Sequence, residues 1–451
     1  MPQKAVILLT KIFNGCLAIG YFPSAWKVAK IIAIRKPGRD EALPGSYRPI
    51  SLLSCLGKLF EKAIYQRLVA VSGHLLIDEQ FGFRTSHSTV HQLARVSEHI
   101  THHLNLKQST GMFLLDIEKA FDTVWHDGLM YKLITLGIPL YLLKILQSYL
   151  SGRTCRVHLG NTTSSSHKVP AGVPQGSIIG PYLFLIYLND IPVQVRTSLA
   201  CFADDTASFT SSDDIDLIIG RLQLSLDSLS SYFTKWKLKL NESKTEAILF
   251  TRQRHSPKKN LVIGGHAITW KKSVRYLGVT MDSRLNWSHH ISNLRVKGAQ
   301  ALGSLSPILN RKSNLSSDTK LNLYTTLVRP CITYACPVWS STCKTNHQVL
   351  QVIQNKAVKI AYNTPFNYNL TRLHYTINLP LLFNFILKLT HNFYAKNKLH
   401  TNSLVSSIGC LQVSNLPYID RYGTYRLPHH YVLFPPDDNT YLQRRQRTIP
   451  S

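Results

Sequence analysis

Cys201-Phe202-Ala203-Asp204-Asp205 is the stretch whose reading decides the fold. An apolar run ends in two adjacent carboxylates, and residues 206–210 resume a strand-type pattern. Residues 199–203 and 206–210 therefore read as two short strands with the acids at their junction. A second acid has the same setting: Phe113-Leu114-Leu115-Asp116 closes a strand-type run over residues 112–116. Carboxylates at the ends of apolar strands repel one another and lose hydration, so cations are needed beside them. Hard oxygen ligands of this kind favour magnesium, which keeps several waters and takes phosphate oxygens as further ligands. Two such ions about 4 Å apart activate an attacking hydroxyl and stabilise a leaving group. An Asp-Asp pair alone is weak evidence. Asp213-Asp214 nearby reads as a helix N-terminal pair, favoured by the helix dipole.

Outward from these acids the pattern is mixed. Residues 1–20 read as a helix, residues 28–34 as a strand ended by Lys36-Pro37-Gly38, and residues 56–71 as a helix. Ile215, Ile219, Leu222, Leu226, Leu229, Phe233 and Trp236 recur at helical spacing and mark one apolar face of a long helix. Residues 247–250 and 274–279 read as further strands. From residue 294 to about 400 the pattern is mainly helical. Pro417, Pro428, Pro435, Pro436 and Pro450 then predict a weakly structured tail over residues 401–451. The fold class is α+β, an antiparallel sheet covered by helices with a helical region behind it.

At 451 residues the chain predicts two or three packed subdomains. Lys and Arg number 52 against 24 Asp and Glu, a net charge of +28. A surplus of that size points to a polyanionic partner, with nucleic acid ahead of an anionic membrane surface. Residues 251–400 hold 21 Lys and Arg but only the acids Asp282 and Asp318, whereas residues 111–250 hold 12 basic and 13 acidic residues. The basic segment suits phosphate contacts that position a duplex without reading its bases. The eight cysteines form no CxxC, which favours free thiols. Cys331, Cys336, Cys343 and His347 are a candidate zinc cluster, but their spacing fits no common zinc pattern. Residues 169–189 carry no charge, yet their prolines and glycines interrupt any membrane helix, and residues 5–9 are too short for a signal peptide.

Five motifs stand in order. Tyr47-Arg48-Pro49-Ile50-Ser51-Leu52 with Gln80-Phe81-Gly82-Phe83-Arg84 and Ser88-Thr89 form the first, and Asp116-Ile117-Glu118-Lys119-Ala120-Phe121-Asp122 the second. Gly172-Val173-Pro174-Gln175-Gly176-Ser177, Phe202-Ala203-Asp204-Asp205 and Tyr276-Leu277-Gly278 follow. In this order, up to about residue 370, they resemble the reverse transcriptase of non-LTR retrotransposons, most closely the jockey-like group. Phe202 departs from the tyrosine commoner there, losing only a hydroxyl.

The resemblance implies a right-hand polymerase: fingers over residues 1–110, palm over 111–280, and a basic helical thumb and connection over 281–400. It implies an RNA-directed DNA polymerase that adds deoxynucleotides to a DNA primer on an RNA template, with two magnesium ions, or manganese in their place. Asp116, Asp204 and Asp205 match the metal-binding triad. Phe121 matches the bulky residue that leaves no room for a ribose 2′-hydroxyl; a core position is the competing account. Gln175 and Gly176 match the segment along the incoming nucleotide, and Arg48 a residue that grips the triphosphate. Lys244 matches a lysine acting as general acid at the leaving pyrophosphate, with a surface lysine as the rival. Tyr276, Leu277 and Gly278 match the hairpin that steadies the primer end, although a buried strand fits them too.

Family members carry an endonuclease ahead of the polymerase. The expectation is a polymerase part lacking it, with no recognisable ribonuclease H segment, so that nicking depends on another region. Localisation to nucleus and cytoplasm as a ribonucleoprotein follows from the family alone. Three alternatives stay open. A catalytically silent nucleic-acid-binding remnant needs only the basic segment. An RNA-dependent RNA polymerase shares the acids but conflicts with Phe121. A structural or membrane-surface protein leaves the ordered motifs unexplained.

Overall fold

The computed structural model describes residues 2–410 apart from residues 37, 39, 254–256, 366 and 367. The central sheet has the order β12-β9-β3-β8-β7. Its strands are β3 (Ser109–Leu115), β7 (Ser198–Phe202), β8 (Asp205–Ser212), β9 (Glu246–Phe250) and β12 (Trp270–Lys271). All neighbours are antiparallel except β12 and β9. Both faces are covered, which explains why β3 and β9 are nearly continuous apolar runs. Phe113, Leu115, Ala247 and Leu249 enter one core, while Met112, Ile248, Phe209 and Phe250 enter the other. Successive side chains point to opposite faces, so one strand feeds both.

On the first face lies α7 (Ile215–Lys235), capped by Asp214, whose Oδ1 accepts the Asp216 N–H at 2.8 Å. The Asp213-Asp214 pair is thus a helix start, as its position predicts. Packed nearby are α1 (Gln3–Ile19), α2 (Cys55–Ser72), α4 (His126–Thr135), α5 (Leu140–Leu150) and α6 (Gly180–Tyr187). Lys132 of α4 is buried here. Its ammonium lies 3.7 Å from the Trp236 ring centre and donates to Asp190 and to the Tyr232 hydroxyl. Burial, partly offset by Asp190, lowers its pKa to about 8.

On the second face lies α3 (Thr89–Asn105) with the C-terminal helices. These are α8 (Ser288–Ser304), α9 (Ser306–Leu309), α10 (Ser317–Leu323), a π-helical turn (Tyr324–Val328) and α11 (Arg329–Thr333). Then come α12 (Cys336–Trp339), α13 (Lys344–Ala361), α14 (Leu370–Thr376), α15 (Leu382–Asn397) and α16 (Ser403–Ser406).

A second sheet pairs β1 (Val28–Arg35) antiparallel with β2 (Tyr47–Leu52) and parallel with β4 (Thr154–Leu159). The short strands β5 (Thr162–Thr163) and β6 (His167–Lys168) complete it. Sheet membership therefore crosses the boundary expected at residue 110. Two hairpins remain: β10 (Leu261–Ile263) with β11 (His266–Ile268), and β13 (Ser273–Tyr276) with β14 (Val279–Asp282).

Two further expectations change. Residues 274–279 are not one strand: Leu277 and Gly278 take φ of +43° and +83°, so the chain reverses into the β13–β14 hairpin. The apolar pattern hides this because a two-residue turn leaves Val274, Tyr276, Val279 and Met281 all buried. Residues 401–410, assigned to a weak tail, pack instead. Val405 and Ile408 are buried, Asn402 Nδ2 donates to the Asp78 carbonyl at 3.0 Å, and the Gly409 N–H donates to Glu98. The prolines beyond residue 410, and Pro37, lie outside the described residues. No preformed cluster of three or more metal-type ligands exists among the described residues. In the candidate zinc group, Cys331 and Cys343 are exposed while Cys336 is buried, and His347 Nε2 bonds the Ser340 carbonyl at 2.9 Å. All eight thiols are free. No described helix is long and apolar enough to cross a membrane.

Burial lifts the Glu98 carboxyl from its ordinary 4.5 to about 7, against the opposing effect of the Gly409 N–H. Below about pH 4.5 both folded and unfolded chains hold this proton; between 4.5 and 7 only the folded chain does. Stability therefore falls as pH rises through that window and levels off above it. The full swing is on the order of 3 kcal/mol. Glu98→Gln removes this slope, so its advantage over the wild type in urea unfolding is largest at pH 8 and shrinks toward pH 5. Equal slopes for the two proteins would remove Glu98 as the source.

Candidate active site

Strand register brings the three acids to one end of the central sheet, although they do not form a preformed three-ligand cluster. β3 pairs with β8 so that Leu115 lies opposite Thr206. Asp116 follows Leu115 and Asp205 precedes Thr206, so both sit one step beyond the last pair. Phe202 pairs with Asp205, leaving Ala203 and Asp204 as a two-residue loop. Burial raises the pKa of Asp204, with Asp116 adding to it. Burial, then Asp204, then Asp116 lift Asp205 to about 6. Asp205 keeps an exposed surface. The donor set is what a hard divalent cation takes: carboxylate oxygens whose repulsion such a cation relieves.

A lysine already answers part of that charge. The Glu118 N–H donates to the Lys239 carbonyl and the Asn241 N–H to the Asp116 carbonyl, both at 2.8 Å. The strand-like segment at 239–241 is thereby laid against the loop after β3. A short turn, Glu242–Lys244, then delivers the Lys244 ammonium to Asp116 Oδ2 at 2.8 Å.

The second motif also meets the third. The Val173 N–H donates to the Phe121 carbonyl at 2.7 Å and the Gly172 N–H to the Val124 carbonyl at 2.8 Å. Gln175 Nε2 donates to Asp122 Oδ1 at 3.1 Å, while the Gln175 carbonyl accepts the Ser51 N–H of β2 at 2.8 Å. Phe121 is half-buried. Its ring stacks on Phe184 at 4.7 Å and takes the edge of Phe83 at 5.9 Å. Its ring is thus backed by the core while part of it stays exposed. Arg48 is exposed on β2 opposite Ile34 and makes no ion pair among the described residues.

Tyr276 is buried beneath β7, and its hydroxyl donates to the Ala200 carbonyl at 3.2 Å. The Leu277 carbonyl at the hairpin tip accepts the Tyr334 hydroxyl at 2.9 Å, and that hydroxyl also meets Thr89 Oγ1 at 3.0 Å. The hairpin is therefore fixed to the sheet, to α3 and to the C-terminal helices.

Residues 34–281 match the family described as reverse transcriptase (RNA-dependent DNA polymerase). The chain belongs to the reverse transcriptase family. It is 34% identical to the probable RNA-directed DNA polymerase from transposon X-element, over 90% of this chain and 46% of that one. It is 36% identical to the probable RNA-directed DNA polymerase from transposon BS, over 84% and 43%. It is 32% identical to the RNA-directed DNA polymerase from mobile element jockey, over 95% and 48%. All three are from Drosophila melanogaster. The chain spans about half the length of these relatives. The resemblance to the jockey-like group is borne out.

Sequence reasoning left two residues of this chain without a role. Glu61 is fully buried on α2. Its Oε2 accepts the Ser177 hydroxyl at 2.7 Å and the Ile178 N–H at 2.6 Å, beside the start of α6, where a carboxylate is favoured. A lone acid between Phe60 and Ile64 was the available signal. Gln80 is the other: its side chain bonds the Ala203 backbone.

Gly176 has φ +124°, and an added Cβ would stand 2.5 Å from the Ser51 carbonyl oxygen. Gly265 has φ +84° with open space around it. Gly176→Ala should cost about 2 kcal/mol or more in urea unfolding and Gly265→Ala about 1. Equal costs would mean that the seam at Ser51 is not tight.

Proposed function

We propose that this chain is an RNA-directed DNA polymerase of a non-LTR retrotransposon, adding deoxynucleotides to a DNA primer along an RNA template. The observation that carries this reading is the placement of Asp116, Asp204 and Asp205 at one end of the β3–β8 pair, with Lys244 on Asp116. The right-hand division follows from it. The β1–β2 sheet acts as fingers, the central sheet as an antiparallel palm, and the helices from residue 288 as a thumb. The surplus of basic residues supports nucleic-acid partners, since 24 acids leave at least 28 of the 52 bases without one each.

Asp116, Asp204 and Asp205 are the groups that would hold two magnesium ions. Bound there, the ions would supply charge neutralisation at the attacking primer hydroxyl and the leaving pyrophosphate. The rest falls to side chains of this chain. Arg48 offers an unpaired guanidinium to the triphosphate. The Gln175-Gly176 backbone, fixed to β2, borders the nucleotide. Phe121, backed by Phe184, closes the space a 2′-hydroxyl needs. Lys244 begins beside Asp116 and carries the proton for the leaving group. The β13–β14 hairpin holds the primer end. The nick that frees this end is made by a separate endonuclease activity, and the particle works as a ribonucleoprotein in nucleus and cytoplasm.

The test is extension of a DNA primer on an RNA template with magnesium and deoxynucleotides, beside Asp204→Asn/Asp205→Asn. The wild type extends, and the double variant falls by about a thousandfold or more while still binding the hybrid. A wild type that binds without extending leaves a silent nucleic-acid binder in its place. In the same assay Phe121→Val should lower discrimination against ribonucleotides by roughly tenfold or more. Unchanged discrimination would return Phe121 to a packing role.

A further inference from the structure

Gln80 is only 2% exposed, and its side chain bonds the Ala203 backbone on both sides together with the nearby Gly82 N–H. Its Oε1 accepts the Ala203 N–H at 2.9 Å and the Gly82 N–H at 2.8 Å, and its Nε2 donates to the Ala203 carbonyl at 3.3 Å. A reversed amide would set its NH2 against two N–H donors, so the orientation is fixed. Ala203 itself takes φ +57°, the left-handed region that alanine disfavours. The loop residue before Asp204 is therefore held from outside in a conformation it would not choose alone.

The mount is as firm as the clamp. The Phe81 N–H donates to the Cys201 carbonyl at 2.9 Å, and the Cys201 N–H to the Glu79 carbonyl at 3.1 Å. Gln92 Nε2 donates to the carbonyls of both Glu79 and Cys201. Arg84 donates back to the Ile77 and Gln80 carbonyls. Gly82 completes the fit: a Cβ there would stand 2.2 Å from the Ala203 nitrogen.

We infer that Gln80 is a positioning residue for the acid cluster: it sets the Ala203 backbone and, through it, the Asp204 carboxylate. For covering the β7 edge alone, the bonds of Phe81, Cys201 and Gln92 suffice. The Gln80 amide adds nothing to that edge and acts on the loop. Its catalytic consequence rests on the polymerase reading above, whereas its effect on the loop and on cation binding does not.

The experiment uses the full chain with Gln80→Met, Gly82→Ala and Lys132→Met. Lys132→Met is a buried polar loss that touches neither the loop nor its mount. Three quantities are read: amide exchange in the peptide spanning residues 202–206, Mn2+ binding to the free protein by electron paramagnetic resonance, and the single-turnover rate at saturating hybrid. Gln80→Met should bind the hybrid within about twofold of wild type while losing roughly tenfold or more in rate. It should also speed exchange at 202–206 and weaken Mn2+ binding, and Gly82→Ala should do the same from the other side. Lys132→Met, compared at an equal fall in thermal midpoint, should leave exchange and Mn2+ binding unchanged. Wild-type exchange and Mn2+ binding in folded Gln80→Met overturn the inference, as does a matching defect in Lys132→Met. If Gln80→Met does not fold, Gly82→Ala decides alone by the same readouts. A wild type that extends no primer sinks the polymerase reading, while exchange and Mn2+ binding still decide the role of Gln80.

Discussion

Everything in this molecule is arranged around carboxylates that repel. Asp116 and Asp205 stand just beyond a strand pair, with Asp204 in the adjoining loop, and the pairing of Leu115 with Thr206 leaves them no other place. A slip of one residue would turn Phe113 and Leu115 from one core into the other, so the register is locked by apolar burial on both faces. The hydrophobic effect thus supplies the force that holds like charges together. Lys244 relieves part of the strain from the side, by way of a segment tied to Asp116 through backbone bonds.

Much of this was legible in the sequence, for reasons of period. The long helix after Asp214 repeats its apolar residues at 3.6, and the structure buries Ile219, Leu222, Leu226, Leu229 and Phe233 as that period requires. Phe113-Leu114-Leu115-Asp116 announces a strand buried on both faces that ends on a charge. The cluster of acids was legible from their identical settings and from the order of the surrounding motifs.

What the sequence hid was anything made by contact between distant backbones. Val274 to Val279 reads as one apolar strand because a turn of positive φ at Leu277 and Gly278 needs no polar residue when its flanks are buried. Glu61 and Gln80 look like ordinary residues of a helix and a loop. Their partners lie 116 to 123 positions away, on backbone or hydroxyl groups that carry no pattern. Residues 401–410 were misjudged for the same reason: their order comes from Asp78 and Glu98, not from their own composition.

That last tie has a consequence for how the chain is made. Gly409 bonds Glu98 across 311 positions and Asn402 bonds Asp78 across 324, so the structure is closed by contacts of very high sequence separation. Such contacts slow folding, because loop-closure entropy is lost before they form. On a ribosome adding 5–20 residues per second, α3 waits roughly 15–60 s for the segment that covers it. During that interval its apolar side is open to other chains. Synthesis of this protein thus carries a built-in period of vulnerability to aggregation, and its yield in a cell depends on what occupies that surface before residue 409 emerges.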